Sequence, residues 1–101
     1  MARNQLKTLS IQALEEVAER FKALSEASRL VIIQALHDGE KSVTDLVEET
    51  GLNQPNVSRH LKILTIAKIV GKRKEGLNVL YRIIDDTLFD VCSIVCKRIR
   101  S

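Results

Sequence analysis

Aromatic residues are nearly missing from this 101-residue chain: Phe21, Tyr81 and Phe89 are all it has, and tryptophan is absent. A protein that holds single-stranded nucleic acid needs rings on which bases stack, so this composition argues against that class. The core must be aliphatic, which suits helices packing on helices. Cysteine is scarcer still: Cys92 and Cys96 alone do not make the disulfide framework of a small secreted fold. No apolar run approaches the roughly 20 residues that span a bilayer. The opening MARNQLKTLS lacks the hydrophobic stretch of a secretion signal. The expectation is a cytoplasmic chain with no membrane contact. No paired carboxylates, Ser-His-Asp set or glycine-rich phosphate loop converges anywhere, which predicts that the protein is not an enzyme. No repeat, low-complexity tract or linker interrupts the chain, so residues 1–101 read as one domain.

Acid is absent from one stretch in particular, residues 53–64, NQPNVSRHLKIL. The net charge of +3 is unevenly spread. Residues 1–52 balance at −3, residues 83–101 at zero, and residues 53–82 at +6, with Glu75 the sole acid among seven bases. Nearly all the positive field therefore sits on one contiguous third of the chain. That is the footprint of a surface for a polyanion.

Helical periodicity places a first helix at IQALEEVAERFKAL, with Ile11, Leu14, Ala18 and Phe21 on one stripe. Ser25 is the expected N-cap of a second helix, whose Leu30, Ile33 and Leu36 or Ile32 point inward before Gly39 stops it. Ser42 with Asp45 forms a capping box for a short third helix ending at Gly51. Asn53 is the expected cap of the next helix, with Pro55 tolerated in its first turn. Two short helices joined by Gly51-Leu52-Asn53 have the form of a helix-turn-helix. The period then changes: IVGKRKE and NVLYRII read as strands joined around Glu75-Gly76-Leu77-Asn78, a basic hairpin in the position of a wing. The last segment is helical again. Its Leu88, Val91 or Cys92, Val95 and Ile99 form a stripe too apolar for a lone helix in water, which predicts pairing with another chain. The fold class is mainly α (α+β): a winged helix-turn-helix of about five helices with a two-stranded wing.

On the fourth helix Val57, Leu61 and Leu64 share one face. Gln54, Asn56, Ser58, Arg59 and Lys62 occupy the other. Arg matches guanine O6 and N7, Asn or Gln matches adenine N6 and N7, and Ser suits bases or phosphates. Residues near the start of such a helix enter the major groove first. Lys72, Arg73 and Lys74 of the wing would grip neighbouring phosphates. The expected partner is double-stranded DNA.

From Phe21-Lys22-Ala23-Leu24-Ser25 through Arg29-Leu30 and QPNVSRHLKIL to VLYRI, the chain resembles the ArsR/SmtB family over roughly residues 12–100. LSEASRL and NVSRHLKIL are its most specific pieces. The resemblance implies a homodimeric repressor that pairs through its first and last helices and leaves its operator when an inducer binds. It also implies that Gln54, Asn56, Ser58 and Arg59 lie on the DNA-reading helix. A two-fold dimer predicts an operator that is an imperfect inverted repeat.

Family resemblance also implies two metal sites that this chain departs from. Where many relatives start the third helix with a thiol motif, Ser42-Val43-Thr44-Asp45 offers no thiolate. Where others bind zinc across the last helices, Asp85 stands at the first position and Thr87, Arg98 and Ser101 near the rest, which is no zinc site. The expectation is no cofactor and neither of these metals. Cys92 and Cys96 remain, one helical turn apart, with three readings: small apolar packing, a thiol switch, or a soft-ion site for arsenite or Cu(I). His37 and His60 are too isolated to nominate as ligands; His60 is expected to pack or to meet a phosphate. The alternatives are a winged-helix protein-interaction module, a regulator that needs no ligand, and an unspecific architectural DNA coat.

Overall fold

The computed structural model describes residues 9–100. Along them run α1 (Ile11–Ala23), α2 (Ala27–Leu36), α3 (Val43–Thr50), α4 (Gln54–Ile66), β1 (Val70–Glu75), β2 (Asn78–Ile83) and α5 (Thr87–Arg100). This is a winged helix-turn-helix, in the element order that the residue pattern predicts.

The helices begin where side chains satisfy orphan backbone donors. Ser10 Oγ accepts the Ala13 amide at 3.1 Å at the head of α1. At α3, Ser42 Oγ accepts the Asp45 amide and the Asp45 carboxylate accepts the Ser42 amide, both at 3.1 Å. The bond from the Ser42 amide holds the Asp45 carboxyl below its ordinary value. Asn53 Oδ1 accepts the Asn56 amide at 2.9 Å and so starts α4. The expected cap of α2 is different. Ser25 turns its hydroxyl back to donate to the Lys22 carbonyl at 2.7 Å, and Glu26 takes the cap position without a side-chain bond. The Lys22 carbonyl, left without an intrahelical partner at the end of α1, has captured the hydroxyl.

Ile32, Ile33 and Leu36 of α2, Leu46 of α3, and Val57, Leu61 and Leu64 of α4 close on one aliphatic core, with Ile69 and Val70 leading into the wing. Burying side chains of this size contributes roughly 1.5–3 kcal/mol each. Leu30, expected to point inward, is 37% exposed, while Arg29 is buried on the inner stripe. The stripes of α1 and α5 also stay outside. Ile11, Leu14 and Phe21 are exposed, as are Val91, Ile94, Val95 and Ile99. From these two helices only Ala23 and Leu88 are buried.

Strands β1 and β2 pair antiparallel from Val70–Ile83 to Glu75–Asn78. Gly76 takes φ +61° at the first position of the two-residue turn, the place where a type II′ hairpin demands glycine. Lys41 exchanges backbone bonds of 3.0 and 2.8 Å with Tyr81, so the outer edge of β2 is tied to the start of α3. Between α4 and the wing, Ile69 donates to the Leu64 carbonyl at 3.0 Å and Lys68 to that of Thr65 at 3.1 Å. This pair of bonds is a Schellman ending. It forces Lys68 to φ +64°, where a side chain crowds the backbone. Lys68→Gly is expected to raise stability by about 0.5–1 kcal/mol in urea unfolding, the relief of left-handed strain exceeding glycine's entropy cost. A loss of stability would show that the lysine side chain stabilises the fold by more than its backbone strain costs.

Candidate nucleic-acid interface

Gly51 ends α3 in the left-handed conformation, φ +76°, and lets the chain turn at once into α4. The core then sets the roll of α4. Because Val57, Leu61 and Leu64 are buried, Gln54, Ser58, Arg59 and Lys62 are exposed on the other side, with Asn56 half-buried. Asn56 Oδ1 lies 3.4 Å from Arg59 Nη2, a weak contact that aligns two candidate base-reading groups. All five side chains thus share one accessible face of the second helix of the motif.

The three wing cations are not equivalent. Strand pleating sends Lys72 and Lys74 to one face and Arg73 to the other. Arg73 donates through Nε and Nη2 to Glu40, both at 2.8 Å, and Nη2 also lies 3.1 Å from Glu75. Those hydrogen bonds hold the Glu40 carboxyl below its usual value and push the guanidinium the other way. Arg73 therefore locks the wing to the loop after α2. Lys72 and Lys74 are both exposed on the opposite face of the strand. No local pattern in the sequence signals the Glu40 clamp, since the two residues lie 33 positions apart.

His60, on the same helix, is 1% exposed and packs. It bonds to Arg29 and Glu26, and burial lowers its pKa. Arg29 sits at helical spacing with Ile32, Ile33 and Leu36, and that spacing is the available signal for a buried cation.

Cys92 is half-buried and Cys96 exposed, both as free thiols. With Leu30, Val31, His37 and Phe89 they line a groove of about 790 Å³ between α2 and α5. The His37 and Phe89 rings meet edge to face, 4.5 Å between centroids. Asp85 is engaged elsewhere: it lies 3.7 Å from Arg20 of α1 and accepts from Thr87 at the start of α5. Arg98 is exposed, and Ser101 lies outside the described residues. Among the described residues no cluster of three or more His, Cys, Asp or Glu could hold a metal ion. Among them, too, no helix is long and apolar enough to cross a membrane.

Residues 26–72 match the family described as bacterial regulatory protein, arsR family. An HTH-type transcriptional regulator of Methanocaldococcus jannaschii is 37% identical over 86 residues, which is 84% of this chain and 97% of that one. The chain belongs to the arsR family. It is a DNA-binding transcriptional regulator, and α3 and α4 are its helix-turn-helix. The HTH-type transcriptional repressor SmtB of Mycobacterium tuberculosis is 36% identical over 76% of the chain, which spans only 57% of that longer relative. Among solved structures, the homodimeric winged helix-turn-helix DNA-binding domain of Mycobacterium bovis superposes with a TM-score of 0.79 at 31% identity, covering 89% of each chain. The family is one of regulators rather than enzymes.

Proposed function

We propose that this arsR-family member is a homodimeric repressor that reads an imperfect inverted repeat through α4 and is released by a thiol-reactive or soft-metal inducer. It acts in the cytoplasm, by binding and not by catalysis, with residues 1–101 serving as one DNA-binding and dimerisation domain. The observation that carries the reading is the roll of α4. Its apolar side is buried, Gln54, Asn56, Ser58, Arg59 and Lys62 line an acid-free outer side, and Lys72 and Lys74 are exposed on the wing that follows. Dimerisation through α1 and α5 is supported by their exposed apolar stripes, with Ile11 at 73%, Phe21 at 58% and Ile99 at 79% exposure. Such exposed apolar stripes are costly in water unless a second copy covers them.

Selection of duplexes from a random library, followed by titration of the selected and a shuffled sequence at several salt concentrations, tests DNA reading. A selected inverted repeat bound roughly 10³-fold or more tighter than the shuffled duplex is the expected result. Equal affinities would leave only an unspecific coat, and a monomer in gel filtration with feeble DNA affinity would favour a protein-interaction module.

The groove holding Cys92 and Cys96 is the candidate inducer site. Release of the selected duplex by an oxidant, a persulfide donor, arsenite or Cu(I) is expected in the wild type. It should be abolished by Cys92→Ser with Cys96→Ser. Release that persists in the double variant removes the thiols from the mechanism, and no release by any of these agents favours a regulator without a ligand.

A further inference from the structure

LSEASRL and NVSRHLKIL, the two stretches that carry the family signature, meet inside the fold through polar groups. Arg29 is 7% exposed and His60 1% exposed within an otherwise aliphatic core. Arg29 directs Nε to the Ala23 carbonyl at 2.6 Å and Nη2 to the Lys22 carbonyl at 3.3 Å. Its Nη1 lies 3.2 Å from Glu26 Oε2 and 3.3 Å from His60 Nδ1. On the other side of the ring, His60 Nε2 lies 3.3 Å from Glu26 Oε1. A guanidinium only donates. Nδ1 of His60 must therefore accept, and the ring proton sits on Nε2, facing Glu26. The imidazole is neutral and has one orientation in which both nitrogens are satisfied.

The connectivity matters more than the bonds taken singly. Lys22 and Ala23 are the last residues of α1, a helix that buries little else in this core. Glu26 and Arg29 begin α2, and His60 lies on the inner side of α4. One guanidinium thus joins the end of α1, the start of α2 and the back of α4. Filling the stripe did not require a charge. An aliphatic side chain at position 29 would continue Ile32, Ile33 and Leu36 without the cost of desolvating a cation. What the polar group adds is direction, because hydrogen bonds fix angles where aliphatic packing permits α4 to rock.

We infer that Arg29 and His60 are positioning residues for DNA reading, holding α4 in one fixed placement relative to α1 so that the two half-sites of a duplex are read at a single spacing. The inference rests on the duplex-reading, homodimeric function proposed above. Base-edge contacts fail when a reading helix is displaced, whereas phosphate contacts carry no sequence information and tolerate it. The loss of this link accordingly lowers specific affinity and spares non-specific affinity.

Arg29→Lys, His60→Leu and His60→Asn, made in the full chain, test it with three probes. These are a duplex selected by the wild type, the same duplex with one base pair inserted between its half-sites, and a shuffled duplex. Lysine keeps the charge and loses the fork; asparagine keeps an acceptor near the position of Nδ1. Arg29→Lys and His60→Leu are expected to bind the shuffled duplex as the wild type does. They should lose roughly tenfold or more on the selected one, the worth of a charge-assisted hydrogen bond, and discriminate less against the inserted base pair. His60→Asn should recover part of the loss. If Arg29→Lys and His60→Asn keep the wild-type ratio of selected to shuffled affinity, the inference is overturned. Equal losses on all three duplexes overturn it as well, since they mark a general loss of folded protein. A wild type that cannot tell selected from shuffled duplex removes the proposed function and this inference together.

Discussion

Arg59→Ala is expected to weaken binding to a selected duplex by roughly 1–3 kcal/mol per protomer, and so by about twice that in a two-fold dimer. The side chain is exposed, and among the described residues its hydrogen-bond partner is Asn56 Oδ1 at 3.4 Å. Removing it therefore leaves the fold within about 0.5 kcal/mol of its original stability. On the proposed reading the variant loses a bidentate pair with guanine, and the discrimination at that base position should relax. Lys72→Ala with Lys74→Ala provides the contrast. Lysines that neutralise phosphates release counterions, so that variant should bind all duplexes more weakly and with a flatter salt dependence, by about one unit of log–log slope for each phosphate no longer neutralised. An Arg59→Ala protein that binds selected and shuffled duplexes with the wild-type ratio would show that α4 does not read bases through this residue.

Most of the architecture is legible in the sequence because local chemistry and tertiary packing agree along α3, α4 and the wing. Asn53 and Pro55 suit the cap and first turn of a helix, and the period-3.6 placement of Val57, Leu61 and Leu64 dictates which side faces outward. Gly76 with alternating β-branched neighbours leaves few choices besides a hairpin. Pairings across long separations are not legible. His60 meets Arg29 over 31 positions and Arg73 meets Glu40 over 33, and a polar residue standing alone in a sequence reads as surface. The helices α1 and α5 are legible in another way. Within one chain Ile11, Phe21 and Ile99 remain exposed, as stripes that pair with another chain must be, because periodicity identifies a face that must be covered without naming what covers it. Ser25 and Glu26 show the smallest ambiguity: adjacent residues compete for the cap of α2, and the nearer carbonyl of Lys22 decides it.

The same separation between inner and outer faces makes the core of α4 the place where stability and DNA reading are most tightly joined. Leu61 is 1% exposed, one turn beyond Val57 and one turn before Leu64 and Thr65. Leu61→Ala removes buried methyl groups and leaves a cavity, at a cost of about 2–5 kcal/mol. A domain of this size has roughly 5–15 kcal/mol in total, so the variant should unfold at markedly lower urea concentration, with the protein concentration held fixed because dimer and fold are linked. Leu61→Met conserves volume and should cost less than about 1.5 kcal/mol. The DNA-binding consequence separates two ways of losing function. Leu61→Ala that is still folded at low temperature should bind shuffled duplex nearly normally and selected duplex poorly, because a loosened α4 no longer presents Gln54, Ser58 and Arg59 at fixed positions. A loss of less than about 1 kcal/mol on truncating Leu61 would mean that the helix is not seated in the core through this side chain, and the outward placement of its polar face would lose its support.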